Sequence, residues 1–244
     1  MKKIFIISLL FISLFSFSQE ETIQTPVVEK GYKYDIEFNY GISFPGQDIH
    51  THSWEDNFSS YSKPGIDIRA SFLLKIWKQA GLFISYHYLN NDFDFDEILH
   101  RFEEKSDVYE WKGTYSQWYH HTLYFGISTE IPFSKKFFLN LRFQPGLTYS
   151  TSPDYKVVGQ NPTNKDDFYI YQQFYDNSLS FGITSGFGVK YSITKLIYAS
   201  LRSDLSFFSP KFEIDVNNDG RQSYKEYTPY ITSFSISAGV GVKF

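Results

Sequence analysis

One segment near the carboxyl end of the chain has the spacing of a metal-binding loop. Residues 215–226 read Asp-Val-Asn-Asn-Asp-Gly-Arg-Gln-Ser-Tyr-Lys-Glu, which matches the pattern D-x-[DN]-x-[DN]-G-x5-E of EF-hand-type calcium loops. In such a loop, oxygens from positions 1, 3, 5, 7 and 9 converge on one cation, and the final glutamate chelates with two oxygens. The candidate calcium ligands are Asp215, Asn217, Asp219, Arg221, Ser223 and Glu226.

Three departures weaken this calcium prediction. Gln222 stands where an aliphatic residue is usual, Lys225 places a positive charge beside the ligands, and no helix is expected on either side. A solvated turn is the alternative interpretation, because Asn-Asp-Gly is common turn chemistry. Calcium is therefore a candidate cofactor, and the sequence points to no other.

A second group of reactive side chains lies in residues 50–56. His50, His52, Ser53, Glu55 and Asp56 supply the residue types of a serine hydrolase or acyltransferase triad. Adjacent side chains on a strand point apart, so His52 and Ser53 could pair only within a turn. We therefore expect a protein that is not an enzyme, without catalytic residues, and keep an enzyme as the minor hypothesis.

These groups must be positioned by a chain whose dominant pattern has a period of two. Between residues 32 and 44, tyrosine, isoleucine and phenylalanine alternate with polar residues or glycine. Successive side chains of a strand point to opposite faces, so this pattern predicts a long two-faced strand. The same pattern recurs seven times. The predicted strands are residues 32–44, 66–74, 81–88, 122–131, 137–148, 179–191, 197–207 and 234–244.

The connections between these strands alternate between short and long. Short links fall at 76–78, 132–136 and 192–195, and much longer ones lie between the other strands. This order predicts an all-β fold, a closed eight-stranded antiparallel up-and-down transmembrane β-barrel. A soluble eight-stranded barrel is the alternative. The polar face is rich in glycine and serine, which suits a narrow lumen better than a strand surface in water.

The third strand and the residues after it carry a less regular pattern. The apolar positions change parity between Tyr88 and Phe93, so we expect the strand to bulge or end there. Ile98, Leu99 and Phe102 then follow at helical spacing, which predicts a short amphipathic helix.

The polar face of the predicted barrel carries charges of both signs. Unpaired charges in a confined interior are unfavourable, so we expect a salt-bridge network that fills the lumen rather than an ion pathway. The candidate network residues are Glu37, Arg69, Glu130, Arg142, Arg202 and Asp204.

The amino-terminal residues are typical of an export signal. Lys2 and Lys3 precede an apolar stretch at 4–17, and small residues at 16 and 18 fit a cleavage site. We expect a signal peptide at 1–18, a periplasmic N-terminal leader at 19–31 and the barrel domain at 32–244. The chain has no cysteine, which excludes disulfides and acylated-cysteine anchors, and its 23 basic against 27 acidic residues indicate no nucleic-acid partner.

These features together resemble the small outer-membrane β-barrel family of Gram-negative envelopes, which includes the OmpA transmembrane domain, OmpX, OmpW and PorT-like barrels. The resemblance rests on architecture over residues 32–244, and its most specific part is the final strand ending in Ser-Ala-Gly-Val-Gly-Val-Lys-Phe. It implies that Phe244 is an assembly signal read by the barrel-assembly machinery. It also implies contact with outer-membrane lipid and lipopolysaccharide, periplasmic termini and extracellular long loops.

The expected function follows from this resemblance. The chain is interpreted as a non-enzymatic, porin-like outer-membrane protein whose surface loops serve envelope integrity, adhesion or binding of an envelope protein partner. The alternatives are an accessory barrel of secretion machinery, a small-solute pore, and a lipid A-modifying enzyme, a deacylase or acyltransferase. Loop aromatics such as Trp111 and Trp118 are candidates for glycan, lipopolysaccharide or protein contact, or for packing over the barrel mouth.

Overall fold

The structure is a computed structural model that describes residues 33–46, 62–77 and 79–244. The predicted signal peptide, the predicted leader and the cluster at 50–56 lie outside these residues. The described residues contain one helix, α1 (Phe95–Lys105). Their strands are β1 (Tyr34–Pro45), β2 (Ser62–Lys75), β3 (Ala80–Phe93), β4 (Glu110–Tyr115), β5 (Trp118–Pro132), β6 (Phe137–Thr151), β7 (Tyr155–Gln160), β8 (Phe168–Gln173), β9 (Asn177–Ser192), β10 (Ile197–Phe208), β11 (Phe212–Asn218), β12 (Arg221–Tyr227) and β13 (Ile231–Lys243).

Eight strands close into an antiparallel barrel in the order β1-β13-β10-β9-β6-β5-β3-β2. Each strand pairs with the next barrel strand along the chain, and β13 returns to pair with β1 through registers such as Phe38 with Val240. All eight predicted strands are present, so the predicted closed up-and-down barrel is confirmed. Closure leaves no free sheet edge in the barrel wall.

The last residue completes this closure. The Phe244 amide donates to the Tyr34 carbonyl at 3.0 Å, and the Tyr34 amide donates to the Phe244 carbonyl at 2.8 Å. The two rings lie 5.7 Å apart, centroid to centroid. Phe244 is half exposed at the end of the barrel that carries the short turns.

Short turns join the strands at this end. In two of them a hydroxyl caps the turn: Ser134 Oγ accepts from the Phe137 amide at 3.1 Å, and Thr194 Oγ1 accepts from the Ile197 amide at 2.9 Å. Such side-chain bonds to the backbone fix a tight turn without further packing. The long connections therefore all leave from the opposite end.

The two faces of the barrel wall differ in chemistry as the alternation predicts. Inward side chains such as Asp35, Ser128 and Ser237 are buried, whereas outward ones such as Phe38 and Leu179 are exposed. Glycine makes room where bulky groups enter the lumen. A Cβ on Gly186 would collide with the Asp204 carboxylate, and one on Gly241 would collide with the Tyr198 ring.

The prediction that strand β3 bulges or ends between Tyr88 and Phe93 was wrong. The strand runs unbroken to Phe93, and its pairing with β5 keeps one register from Ala80 to Asn91. Inward positions change from polar to apolar instead, because Leu89 and Phe93 rise above the charged lumen into an apolar cluster. The irregularity lies on the neighbouring strand β2, between Ser62 and Gly65.

The long connections form a second body, here called the cap: residues 94–117, 152–176 and 209–230. Its core is a five-stranded sheet in the order β12-β11-β8-β7-β4. The predicted amphipathic helix is confirmed as α1. It begins after Asp94, whose side chain accepts from the Glu97 amide at 3.4 Å. The described part of the chain holds no helix with the length and hydropathy needed to span a bilayer.

An apolar cluster seals the barrel where the cap meets it. Trp118 is the first residue of β5. Its ring stacks on that of His120 and contacts that of Phe212 in the cap, with ring centroids 5.8 Å apart in both pairs. Phe208 packs edge-on against His120 at 4.9 Å. These rings are buried, so the cap closes the lumen at the end opposite the short turns.

Candidate functional site

The structure brings the six predicted network residues together inside the barrel. Four of them form what we call the arginine cluster, which is centred on Asp204. The Asp204 carboxylate lies 2.7 Å from Arg69 Nη1, 3.1 Å from Arg142 Nη2 and 3.5 Å from Arg202 Nε. Arg69 also holds Asp67 at 2.7 Å. All five side chains are almost completely buried.

The other two predicted residues belong to a second group, the lysine cluster, centred on Lys190. The Lys190 ammonium lies 2.9 Å from Asp35 Oδ2, 3.2 Å from Glu37 Oε2 and 2.9 Å from Glu130 Oε1. Lys75 Nζ approaches the other oxygen of Glu130 at 2.7 Å. Glu37 joins the two clusters, because its Oε1 lies 3.4 Å from Arg202 Nη1.

The two clusters are balanced in formal charge. Five cationic side chains meet five carboxylates within salt-bridge distance. The cations are Arg69, Lys75, Arg142, Lys190 and Arg202, and the carboxylates are Asp35, Glu37, Asp67, Glu130 and Asp204. A further buried lysine, Lys243, lies outside these pairs, with its Nζ 4.7 Å from the Phe138 ring centroid and 5.3 Å from that of Tyr198.

Six members of the network lie outside the predicted set: Asp35, Asp67, Lys75, Lys190, Tyr198 and His87. Two of them, Tyr198 and His87, are not charged residues of the usual kind. The Tyr198 hydroxyl donates to Glu37 Oε2 at 2.9 Å and also contacts Asp35 and Lys190, while His87 Nε2 lies 2.6 Å from Asp67 Oδ1. The signal was present in the sequence, since both residues occupy inward positions of the period-two pattern. Tyr198 was missed because a tyrosine resembles the apolar face in composition.

We expect the purified protein to show negligible steady conductance in planar lipid bilayers. The charged clusters occupy the lumen and the apolar cluster under the cap closes one end of it, so no open water column crosses the barrel. Single-channel recording with the full chain tests this expectation. A stable, ion-selective current would contradict it.

The predicted calcium ligands lie on a β-hairpin rather than around one point. β11 and β12 pair from Phe212 with Tyr227 to Asn218 with Arg221, and Asp219 and Gly220 form the turn with positive φ values of 50° and 80°. Both central residues of a type I′ turn have this conformation. Asn217 Oδ1 accepts from the Gly220 amide at 3.0 Å.

The far ligand of the predicted loop is well separated from this turn. Glu226 pairs with Glu213, five residue pairs below Asn218 and Arg221, which is about 17 Å at the rise of an antiparallel strand. Its carboxylate instead lies 3.1 Å from Lys211 Nζ. Among the described residues, no group of three or more His, Cys, Asp or Glu side chains is arranged to hold a metal ion. Calcium binding by this segment stays a prediction and requires the hairpin to open.

Limited proteolysis tests this prediction directly. If calcium reorganises the segment, trypsin cleavage after Arg221 is expected to slow in calcium relative to chelator, because ordered ligands shield the peptide bond. The Asp215→Ala variant removes the first ligand and is the matched control. Equal cleavage rates in both buffers would leave the segment as a simple hairpin.

The histidine that lies beside a serine in the described residues is closed off from substrates. His120 Nδ1 lies 2.9 Å from Ser150 Oγ, and both residues are buried. Trp118 and Phe208 cover them on the side of the cap. This pair therefore supports the interior of the barrel rather than an accessible catalytic site.

The other described histidines are held by acidic or phenolic partners. His87 is buried against Asp67, and His121 lies on the outer barrel surface 2.6 Å from the Tyr86 hydroxyl. His100 is exposed on α1, 3.7 Å from a carboxylate oxygen of Glu103 on the same helix. These contacts supply no nucleophile, and the triad candidates at 50–56 lie outside the described residues.

Comparison with known proteins gives matches only among solved structures. No protein-family model and no curated protein matches the sequence. The chain superposes on Neisserial surface protein A with a TM-score of 0.40 and 12% identity, covering 87% of this chain and 97% of that one. For the Yersinia pestis attachment invasion locus protein Ail the values are 0.43, 12%, 87% and 99%. For a major outer membrane protein of Thermus thermophilus they are 0.47, 10%, 86% and 99%.

These superpositions are too distant to carry function from one chain to the other. The closed ladder of hydrogen-bonded strands in this chain itself identifies it as a small eight-stranded antiparallel up-and-down β-barrel.

Proposed function

We propose that this chain is a non-enzymatic integral outer-membrane protein, with a closed lumen and a cap that binds partners at the cell surface. The observation that carries the proposal is an uncharged apolar belt on the outside of the barrel. Within this belt, the outward positions of all eight strands carry no Asp, Glu, Lys or Arg, and the outward Asp92 of β3 lies beyond it on the side of the cap. These positions lie within residues 34–44, 66–74, 82–88, 123–131, 137–149, 179–191, 197–207 and 234–242.

The dimensions of this belt fit a bilayer. On β1 the apolar positions run from residue 34 to residue 44, and about 9–11 residues of tilted strand cross the apolar part of a membrane. Ile127 is 61% exposed and Leu179 is 67% exposed. A water-facing barrel would leave this continuous apolar surface uncovered, which soluble monomers avoid.

The ends of the barrel support an orientation. Lys33 and Phe244, the first and last described residues, lie at the short-turn end, and the cap lies at the other. We assign the short turns and termini to the periplasm and the cap to the cell surface. Outer-membrane barrels usually have short periplasmic turns and long extracellular connections. In the same proposal, Phe244 is the residue that the barrel-assembly machinery recognises.

The cap is the element available for partners. Its five-stranded sheet and helix stand on the barrel as an ordered body, so they present fixed side chains rather than loose loops. Because the lumen is closed, the role we assign to the protein is envelope integrity or adhesion through the surface of the cap. A partner in secretion machinery would use the same surface.

Expression of the full chain in a Gram-negative host tests the proposal. We expect the protein in outer-membrane fractions, resistant to alkaline carbonate, and migrating differently on gels before and after boiling. In intact cells, external protease is expected to reach cap sites such as Arg221 and to leave the barrel uncut. Recovery of the folded protein as a soluble periplasmic species would contradict the proposal.

A further inference from the structure

The cap contains an open cleft of about 420 Å³ between the end of α1 and the five-stranded sheet. Volumes of this size are typical of small-ligand sites. Aromatic rings supply most of its wall, and polar groups supply its rim. The lining residues are Phe102, Lys105, Ser106, Tyr109, Trp111, Tyr169, Tyr171 and Asn218.

Strand register builds the aromatic wall. Trp111 on β4 pairs with Gly159 on β7, and Gly159 pairs with Tyr169 on β8. The Trp111 ring lies over Gly159, where a Cβ would stand only 2.6 Å from the ring. The missing side chain lets the Trp111 and Tyr169 rings meet edge-on, with centroids 5.8 Å apart. Any larger residue at 159 would push Trp111 out of this position.

Hydrogen bonds fix the orientation of these rings. The Trp111 indole nitrogen donates to the Ser106 carbonyl at 3.1 Å, and the Tyr169 hydroxyl donates to Asn218 Oδ1. The Tyr109 hydroxyl donates to Asp167 at 3.1 Å, and this bond raises the pKa of Tyr109 above its usual value. The wall is therefore held in place before any ligand arrives, which reduces the entropy lost on binding.

The aromatic wall and the polar rim of the cleft indicate which class of ligand it can bind. Aromatic faces carry partial negative charge and attract the weakly positive C–H groups on the apolar face of a saturated ring. Hydroxyl, amide and ammonium groups at the rim can bond to hydroxyls on the edge of that ring. Lys105 disfavours a cationic ligand of the kind that aromatic cages otherwise bind. A pyranose ring has one C–H-rich face and a hydroxylated edge, and it carries no positive charge.

We propose that this cleft is a saccharide-binding site that stacks a pyranose ring against Trp111 and bonds its hydroxyls through the rim residues. The proposal deepens the surface-binding role given above and rests on it. The pyranose could belong to the lipopolysaccharide of the same membrane or to a glycan on another surface. The chemistry of recognition is shared, and the two sources are separated by experiment.

Titration of the purified full chain in a detergent without a sugar headgroup tests the proposal. One arm uses oligosaccharides of neutral hexoses and of N-acetylhexosamines, and the other uses the core oligosaccharide released from lipopolysaccharide. Binding is followed by tryptophan fluorescence and by saturation-transfer NMR. We expect the protein to bind the saccharides of at least one arm. The arm in which binding occurs identifies whether the pyranose comes from lipopolysaccharide or from another glycan.

Three variants make the result specific. Trp111→Ala is expected to weaken binding by about tenfold or more, since tryptophans at the centre of a contact commonly dominate binding energy. Lys105→Ala changes an exposed side chain, and we expect it to leave folding intact and to weaken binding less than Trp111→Ala does. Tyr224→Ala, which removes a highly exposed tyrosine on β12 outside the cleft, is the matched control and should bind within twofold of wild type.

Two outcomes would overturn the site. One is the absence of saccharide binding in both arms when gel migration shows that the barrel is folded. That outcome would not affect the proposal that the barrel lies in the outer membrane. The other is equal saccharide affinity in wild type, Trp111→Ala and Lys105→Ala. Failure of the barrel to fold in the membrane would instead contradict the proposed function.

Discussion

Replacing Asp204 by alanine is expected to destabilise the folded barrel by about 3–5 kcal/mol, the usual effect of removing one partner from a buried ion pair. The Asp204 carboxylate lies within salt-bridge distance of Arg69, Arg142 and Arg202, so its removal leaves three guanidinium groups close together in a closed lumen. Urea unfolding of the protein in phospholipid vesicles, followed by tryptophan fluorescence, measures the change.

Three further variants isolate the cause of this effect: Asp166→Ala, Arg142→Met and the double variant Asp204→Ala/Arg142→Met. Asp166→Ala removes an exposed carboxylate from the cap and should change stability by less than about 0.5 kcal/mol. Adding Arg142→Met to Asp204→Ala removes one of the stranded cations, so the double variant should be less destabilised than the sum of the two single changes. Additive effects would show that the residues act independently and that the arginine cluster is not an energetic unit.

Replacing Ile127 by lysine is expected to destabilise the barrel in a bilayer by about 2–4 kcal/mol. Ile127 lies at the middle of the outward face of β5, and a lysine there would sit near the centre of the apolar band, where this cost has been observed for barrels. Vesicle unfolding measures it under the same conditions. Ile127→Ala separates the loss of the isoleucine side chain from the arrival of the charge.

The control for this substitution is the same lysine at a different depth in the membrane. Ile131→Lys places the same charge on the same strand beside the short turn, where the cost should fall to about 0–1 kcal/mol. A soluble barrel would expose both positions to water and would tolerate both lysines. Equal and small effects at the two positions would therefore contradict the membrane-facing assignment of this surface.

The barrel itself could be predicted from the sequence because its strands are two-faced. Alternation specifies which side chains share a face, and the order of short and long links specifies the meander. Both signals are local, so they survive without any knowledge of packing. Alternation also placed Glu37, Arg69 and Asp204 inside the lumen.

The partners of these charges could not be predicted in the same way. Arg69 on β2 contacts Asp204 on β10, and β1 and β13 lie between the two strands in the wall. Lys190 on β9 reaches Asp35 on β1. Such contacts cross the lumen, and they depend on barrel diameter and stagger, which no single strand encodes.

The cap was missed because a competing pattern occupied its clearest segment. Phe212, Ile214 and Val216 alternate with Glu213 and Asp215, which is a strand signal, and Asp-Gly at 219–220 is a strong hairpin signal. The calcium-loop spacing overlaps both. The hairpin is the observed conformation because the three apolar side chains are buried in the cluster above the lumen. The aromatic cleft was beyond prediction, since it depends on register among strands far apart in sequence.

A single-cysteine scan along β13 tests most directly whether the strands cross a bilayer with one face in lipid and the other in a closed lumen. The native chain has no cysteine, so each introduced thiol can carry a nitroxide label without background. At Ile236 and Val240 we expect strong collision with oxygen, which concentrates in lipid, and little with a water-soluble nickel complex. At Ser235 and Ser237 we expect weak collision with both, because these positions are buried beside the arginine cluster. Strong collision with the nickel complex at Ile236 and Val240 would place this face in water and contradict the account.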